Sequence, residues 1–156
     1  MNDSTIEQFS KDIKKEIPAW LNTSEGKNYP YSNEISELPK LFDILNSIRL
    51  STHPYFSINN LEIFNKKITN TIEYTVSHLD FLPEALMGPK GYIDDLYMVC
   101  LCFNDLLSHP NFEIQKLGID INFIDNVLTN AEDIFLNVHN DGQSILKQLQ
   151  DTYDNY

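Results

Sequence analysis

The sequence is poor in the residues that mark fibrous, disordered or disulfide-stabilised chains. Its 156 residues include only 5 Gly, 7 Pro and 2 Cys, whereas hydrophobic residues make up 42%. This composition argues against a disordered or low-complexity chain, and the length suits one folded unit. We therefore predict that residues 1–156 form a single helical domain. Cys100 and Cys102 are two positions apart, so on a helix their side chains diverge, and we expect both to be reduced core residues.

Basic residues are also scarce, because 11 Lys and Arg stand against 23 Asp and Glu, for a formal net charge of -12. Such a surface repels phosphate backbones and anionic lipids, which argues against nucleic-acid binding and peripheral membrane binding. The best candidate for a membrane span, residues 96–103, is far shorter than the roughly 20 residues needed. Residues 1–10 lack the basic start and apolar run of a secretory signal. We expect a cytoplasmic protein without a transmembrane segment.

Apolar residues recur every three or four positions along almost the whole chain, which is typical of α-helices. Residues 23–33 are rich in Gly, Pro, Asn and Ser and are expected to form a loop. Residues 92–107 are apolar nearly all round, as expected of a helix surrounded by others. We predict an all-α fold, a compact bundle of about five to six helices around a buried central helix at about 92–107. The predicted helices cover about residues 6–22, 36–52, 61–79, 92–107, 114–138 and 144–153.

The acidic residues are concentrated in the later part of the chain, since residues 80–110 and 111–156 together carry a formal charge of -10. This charge is either a solvated outer face or a docking surface for a basic partner. Two tyrosines in a polar segment add large amphipathic side chains of the kind that anchor interfaces. The candidate partner-binding residues are Asp125, Glu132, Asp133, Asp141, Tyr29 and Tyr31.

Residues 74–96 read YTVSHLDFLPEALMGPKGYIDDL. This segment resembles the signature of the YkvA-like family, a bacterial and archaeal domain of unknown function. The resemblance extends over about residues 53–107 and implies a small helical domain, but no established activity. His78 stands where the family usually has Pro. The matching residues are Tyr74, Ser77, Asp80, Pro83, Gly91, Tyr92, Asp94 and Asp95.

Four acids, Asp80, Glu84, Asp94 and Asp95, bracket one loop of this segment. Carboxylates that converge there would offer oxygen ligands to Mg²⁺ or Ca²⁺. In the alternative interpretation, Asp94 and Asp95 begin a helix, where carboxylates accept hydrogen bonds from unpaired amides and favour the positive end of the helix dipole. Adjacent acids on a helix also diverge by about 100°, so they do not easily face one ion. Both interpretations remain open from the sequence.

No catalytic motif is recognisable in the sequence. It has no nucleophile elbow and no phosphate-cradling glycine loop, and its histidines lack the spacing of a zinc site, so we predict neither catalytic residues nor a cofactor. The expected function is that of a non-catalytic acidic interaction protein, of the immunity-protein or antitoxin type, that binds and neutralises or regulates a basic protein partner. The alternative is a divalent-metal or small-ligand site at the Asp80–Asp95 loop with an unknown enzymatic activity.

Overall fold

The computed structural model describes residues 3–54, 62, 64–77, 88–109 and 116–156. These residues form helices and turns and contain no β-strand, so the prediction of an all-α fold is confirmed for this part of the chain. A 3-10 helix, Gly88–Tyr92, precedes α6. The α-helices are α1 (Asp3–Leu21), α2 (Ser24–Asn28), α3 (Ser32–Ser36), α4 (Leu38–Arg49), α5 (Asn65–Val76), α6 (Ile93–Leu107), α7 (Ile121–Thr129), α8 (Ala131–Val138) and α9 (Gly142–Asp154).

Helix α1 follows the predicted apolar stripe and ends at Leu21, close to the predicted end at Asn22. Its buried residues include Ile6, Ile13 and Trp20, which are spaced to fall on one side of the helix. This side packs against α2, α3, α4 and α5. The N-terminal half of the fold is therefore organised around the inner face of α1.

Helices α4 and α5 carry the next two predicted apolar stripes. Pro39 lies in the first turn of α4, where its fixed backbone and missing N–H suit a helix start. Helix α5 begins at Asn65, and the predicted caps at Asn59 and Asn60 lie outside the described residues. The two helices pack against each other and against α6.

Helix α6 follows the 3-10 helix without a break and is buried along most of its length. Eleven of its fifteen residues are buried. It packs against α3, α4, α5, α7, α8 and α9. Cys100 and Cys102 are free thiols buried in this helix, as the sequence analysis predicts.

The prediction of a loop over residues 23–33 is wrong in detail, because this range contains α2 and the beginning of α3. Thr23 starts α2, since its hydroxyl oxygen accepts a hydrogen bond from the Gly26 amide at 3.1 Å. The same hydroxyl donates to the carbonyl oxygen of Trp20 at 2.6 Å. Gly26 lies so close to α1 that a Cβ atom there would overlap this carbonyl group. A one-turn helix thus forms where tertiary contact with the end of α1 supports it.

The prediction of one helix over residues 114–138 is also wrong, because the described part of this range holds two helices, α7 and α8, separated at Asn130. Gly118, which precedes α7, has a φ of 69°, a left-handed value that glycine adopts readily. Asn130 has φ -96° and ψ 12°, close enough to helical values for the apolar spacing to continue across it. Val127 and Ala131 are therefore both buried, and the break leaves no mark in the sequence pattern.

Candidate functional site

Four of the predicted partner-binding carboxylates lie exposed on the last three helices. Asp125 is on α7, Glu132 and Asp133 are in the first turn of α8, and Asp141 directly precedes α9. All four residues are exposed to solvent. We call these four residues the acidic face. Their exposure makes every one of them accessible to another molecule.

The acidic face has no ion pair of its own. Among the described residues, no ion pair joins a carboxylate of the acidic face to a lysine or arginine, so its negative charge is left uncompensated by nearby cations. Exposed acids elsewhere, such as Glu7 and Glu73, share this property, whereas four other acids are paired within the chain. The pairs between described residues are Lys14–Asp43, Arg49–Asp3, Lys67–Asp105 and Lys147–Asp151.

The exposed side of α8 combines charge with apolar surface. Leu136 is 44% exposed, which is unusual for a large hydrophobic residue in this fold. It lies one turn after Glu132, and Asn137 lies one turn after Asp133, so these side chains are neighbours on the helix surface. Helix α8 thus presents one exposed leucine beside two exposed carboxylates.

The polar surroundings of Tyr29 and Tyr31 predict little contact with the hydrophobic core, and the structure differs from this prediction. Tyr29 is only 8% exposed and belongs to the core, whereas Tyr31 is half-buried. Tyr29 packs edge-to-face on Trp20, with ring centroids 5.6 Å apart, and on Tyr31, with centroids 6.1 Å apart. We call these three residues the aromatic cluster. The sequence does not reveal this burial because the polar residues around Tyr29 conceal its contact with the end of α1.

A surface depression of about 320 Å³ connects the region of Tyr29 with α8. Tyr29 and Pro30 line it from the N-terminal region, Lys90 lines it from the 3-10 helix, and Asn137 lines it from α8. Because Asn137 follows Asp133 by one turn, the depression adjoins the acidic face. The structure therefore brings two sets of predicted partner-binding residues to neighbouring positions. Lys90 and Asn137 were not identified from the sequence, which contains no signal for this proximity.

Asp94 and Asp95, two of the four predicted metal ligands, are fully buried in the first turn of α6. The Tyr74 hydroxyl donates a hydrogen bond to Asp94 Oδ2 at 2.8 Å. Asp94 Oδ1 accepts a hydrogen bond from the Asp95 amide at 2.9 Å. These contacts match the interpretation in which the acids begin a helix, and they link three residues of the YkvA-like signature.

The other two predicted ligands, Asp80 and Glu84, lie outside the described residues. Within the described ranges, no three His, Cys, Asp or Glu side chains are grouped so that they could hold a metal ion. Ser77 and Tyr92, which also belong to the signature, line a second depression of about 120 Å³ together with Glu16. The Tyr92 hydroxyl donates to Glu16 Oε2 at 2.8 Å.

Comparison with known proteins gives partial similarity to two relatives. A stretch of 73 residues, 44% of the chain, is 34% identical to the E3 ubiquitin-protein ligase RNF170 of Danio rerio and covers 27% of that protein. A stretch of 103 residues, 63% of the chain, is 28% identical to the E3 ubiquitin-protein ligase RNF170 of Xenopus laevis and covers 38% of it. The matches thus span less than two-fifths of the length of these relatives. No family model matches the chain, and no solved structure matches it.

The thiols of this chain are unsuited to chemistry at the surface. Burial raises the pKa of Cys102 to about 12 and raises the pKa of Cys100 as well. Neither thiol is therefore available as a thiolate at neutral pH.

None of the helices formed by the described residues has the length and apolar character to cross a membrane.

Proposed function

We propose that this chain is a non-catalytic, cytoplasmic interaction protein that binds a basic protein partner through the acidic face and thereby neutralises or regulates that partner. Toxin immunity proteins and antitoxins are proteins of this type. In this proposal the helices pack around α6 as the central helix of one compact bundle, and the bundle holds α7, α8 and α9 in position to present the carboxylates.

The observation that carries this proposal is the set of exposed carboxylates without ion-pair partners among the described residues. Exposed carboxylates without a neighbouring cation give this surface a negative potential. A basic partner would supply that cation, and the field of the acidic face would accelerate its approach. Exposed Leu136 and the neighbouring depression would add apolar contact and shape, which charge alone does not provide.

A direct test begins with capture of the partner on the immobilised full chain from the native host, followed by identification of the retained protein. Association of the purified pair is then measured for the wild type and for a variant with Asp125→Asn, Glu132→Gln and Asp133→Asn. We expect the association rate constant to fall roughly tenfold at low salt, since electrostatic steering accelerates association by one to three orders of magnitude. High salt should reduce the wild-type rate toward that of the variant.

The matched control carries Glu7→Gln, Glu62→Gln and Glu73→Gln, which removes the same charge from exposed positions outside the acidic face. Circular dichroism establishes that both variants are folded. The proposal requires the control to associate within about twofold of the wild type. Equal losses in the two variants would mean that only net charge matters, and no loss in either would refute the role of the acidic face.

A second candidate function is a divalent-metal or small-ligand site at the Asp80–Asp95 loop. Asp94 and Asp95, at one end of this loop, would supply carboxylate oxygens, the ligands that such ions prefer. Calorimetric titration of the full chain with Mg²⁺, Ca²⁺ and Mn²⁺ tests this candidate. A saturable heat and a higher melting temperature that Asp80→Asn abolishes would support it. The absence of heat and of a melting shift would eliminate it.

We propose in addition that residues 53–107 contain a YkvA-like segment. The hydrogen bond between Tyr74 and Asp94 supports this, because it gives two separated positions of the signature a shared structural role. Tyr74→Phe should then destabilise the chain by about 1.5 to 3 kcal/mol, the usual contribution of a hydrogen bond to a charged group. An unchanged urea midpoint in Tyr74→Phe would contradict this role. The ligase activity named for the two relatives is not part of the proposal, because the matches cover less than two-fifths of each.

A further inference from the structure

Two polar atoms beside the aromatic cluster are buried without a hydrogen-bond partner among the described residues. They are the hydroxyl oxygen of Tyr29 and the Oε2 oxygen of Glu34. Buried polar atoms are nearly always hydrogen-bonded in folded proteins, and a carboxylate oxygen without a donor is especially unfavourable. Two such atoms in one region indicate a place that a donor from another molecule can complete.

The chain places the two residues in one region. Glu34 lies in the first turn of α3, which begins directly after Tyr31, and the Tyr31 ring packs on Tyr29 with centroids 6.1 Å apart. Burial, followed by the charges of Tyr31 and Glu34, raises the pKa of Tyr29. Aromatic ring faces and a carboxylate both attract positive charge. A cation is the chemical group that satisfies all of them together, because it donates to oxygen and is attracted to aromatic faces.

The chain itself does not supply this cation within its described residues. No ion pair of Glu34 occurs there, and the nearby Lys90, which lines the depression with Tyr29, forms no ion pair with it. Glu34 and Tyr31 are half-buried, so the region is close to solvent even though the Glu34 Oε2 oxygen is dry. A side chain entering from outside can therefore reach the accessible part of the Glu34 side chain, and contact with the buried Oε2 oxygen requires neighbouring side chains to move aside.

We propose that Tyr29, Tyr31 and Glu34 form a receptor for one lysine or arginine side chain of a basic polypeptide. The cationic group pairs with the Glu34 carboxylate, donates to the Tyr29 hydroxyl oxygen and lies against the ring of Tyr31. Tyr29 also lines the depression that reaches Asn137 beside the acidic face, whereas Tyr31 and Glu34 do not line it. This inference rests on the proposed function, since it assigns to the basic partner one anchoring residue in addition to its general charge.

Trp20 provides a built-in reporter, because it is the single tryptophan of the chain and packs on Tyr29. The full chain is titrated with oligolysine and, separately, with oligoarginine, and Trp20 fluorescence is recorded at constant ionic strength. Oligoglutamate serves as the peptide control. We expect a saturable change with at least one basic peptide and none with oligoglutamate.

Two variants test the assigned residues without altering the packing of the rings. Glu34→Gln removes the charge, and Tyr29→Phe removes only the hydroxyl group. Glu37→Gln, three positions along, is the matched control for net charge. We expect Glu34→Gln to weaken peptide binding roughly tenfold, because Glu34 has a buried oxygen that would pair with the cation. Glu37 is half-buried as well but lies outside the receptor, so Glu37→Gln should change binding by less than about twofold.

Stability measurements separate a binding role from a structural role. If the two atoms await an external donor, Tyr29→Phe and Glu34→Gln should leave the melting temperature unchanged or raise it, because each removes an unsatisfied buried polar atom. If the two groups bond to each other in solution, both variants should melt at a lower temperature. That result, equal binding by Glu34→Gln and Glu37→Gln, or no saturable fluorescence change would overturn the inference.

The same titrations distinguish this inference from the proposed function. The variant of the acidic face with Asp125→Asn, Glu132→Gln and Asp133→Asn is titrated alongside Glu34→Gln. Loss of binding only in the acidic-face variant would leave the proposed function intact and refute the receptor. Loss of binding only in Glu34→Gln would support the receptor and refute the acidic face as the main docking surface.

Discussion

One of the polar contacts that attach the C-terminal helix to the rest of the fold should give a measurable loss of stability when it is removed. The Tyr153 hydroxyl donates to Asp105 Oδ2 at 2.6 Å, and Lys67 Nζ donates to the same oxygen at 2.9 Å. Lys67 also lies over the Tyr153 ring, 5.0 Å from its centroid. These contacts join α9 to α5 and α6. We predict that Tyr153→Phe destabilises the chain while leaving the ring and the Lys67–Asp105 ion pair in place.

The magnitude follows from the character of the acceptor. A hydrogen bond to a charged group typically contributes about 1.5 to 3 kcal/mol to stability. The Asp105 side chain is 34% exposed, so water can replace part of what the hydroxyl supplies. We therefore expect Tyr153→Phe to lower the free energy of unfolding by about 1 to 1.5 kcal/mol.

Urea denaturation monitored by circular dichroism measures this free energy for Tyr153→Phe, for Asp105→Asn and for the double variant. A coupling energy of about 1 kcal/mol between the two positions is expected, because the residues share one hydrogen bond. Tyr156→Phe is the matched control, since Tyr156 packs on the Tyr153 ring with centroids 5.8 Å apart and its hydroxyl makes no hydrogen bond with the described residues.

The control should cost less than about 0.5 kcal/mol, the usual range for such a surface change. Additive effects of Tyr153→Phe and Asp105→Asn would show that the two side chains do not interact, which would refute the assigned attachment of α9. An unchanged slope of unfolding free energy against urea concentration ensures that the comparison concerns stability and not the extent of unfolding.

Three further predictions follow from burial and close packing. Gly142→Ala should lower the free energy of unfolding, measured in urea melts, by roughly 2 to 3 kcal/mol, because the new Cβ would lie 2.5 Å from the Phe135 carbonyl. An unchanged free energy of unfolding would contradict this close packing. Cys100 and Cys102 should react with a disulfide reagent only as fast as the chain unfolds, whereas rapid native labelling would disprove their burial. The folded chain raises the pKa of Tyr29 above its ordinary value of 10.0, so folding favours the protonated hydroxyl. The contribution of Tyr29 to the free energy of unfolding is therefore fully present below about pH 10 and is lost as the pH rises. Tyr29→Phe should therefore shift alkaline unfolding, followed by tyrosinate absorbance, to higher pH, and an unshifted midpoint would argue against the raised pKa.

Apolar spacing predicts the long helices well because burial on one side is their main source of stability. It predicts α1 and α4 to within three residues at each end. It does not predict α2, whose single turn depends on the Thr23 cap and on close contact between Gly26 and the end of α1. It also misses the break at Asn130, because that residue departs from helical geometry too little to shift the stripe.

The sequence predicts only part of the candidate site, because the rest depends on contacts between separate segments of the chain. Exposure of the acidic face follows from its position opposite the apolar stripe, which the sequence contains. The burial of Tyr29 and the dry carboxylate oxygen of Glu34 depend on contacts between segments, and nothing in the local sequence specifies them. The paired aromatic residues Trp20 and Tyr29 were the available signal, and they become informative only once α2 is known to fold back on α1.

The interruption at Asn130 gives the chain an extra helix N-terminus midway along its most negative surface. Glu132 and Asp133 occupy that first turn, where the partial positive charge of the amide groups stabilises carboxylates. An unbroken helix would have placed both acids in its middle, without this compensation. The break at Asn130 thereby offsets part of the unfavourable free energy of placing these negative charges close together. Replacement of Glu132 and Asp133 should therefore weaken α8 itself as well as any complex that they form.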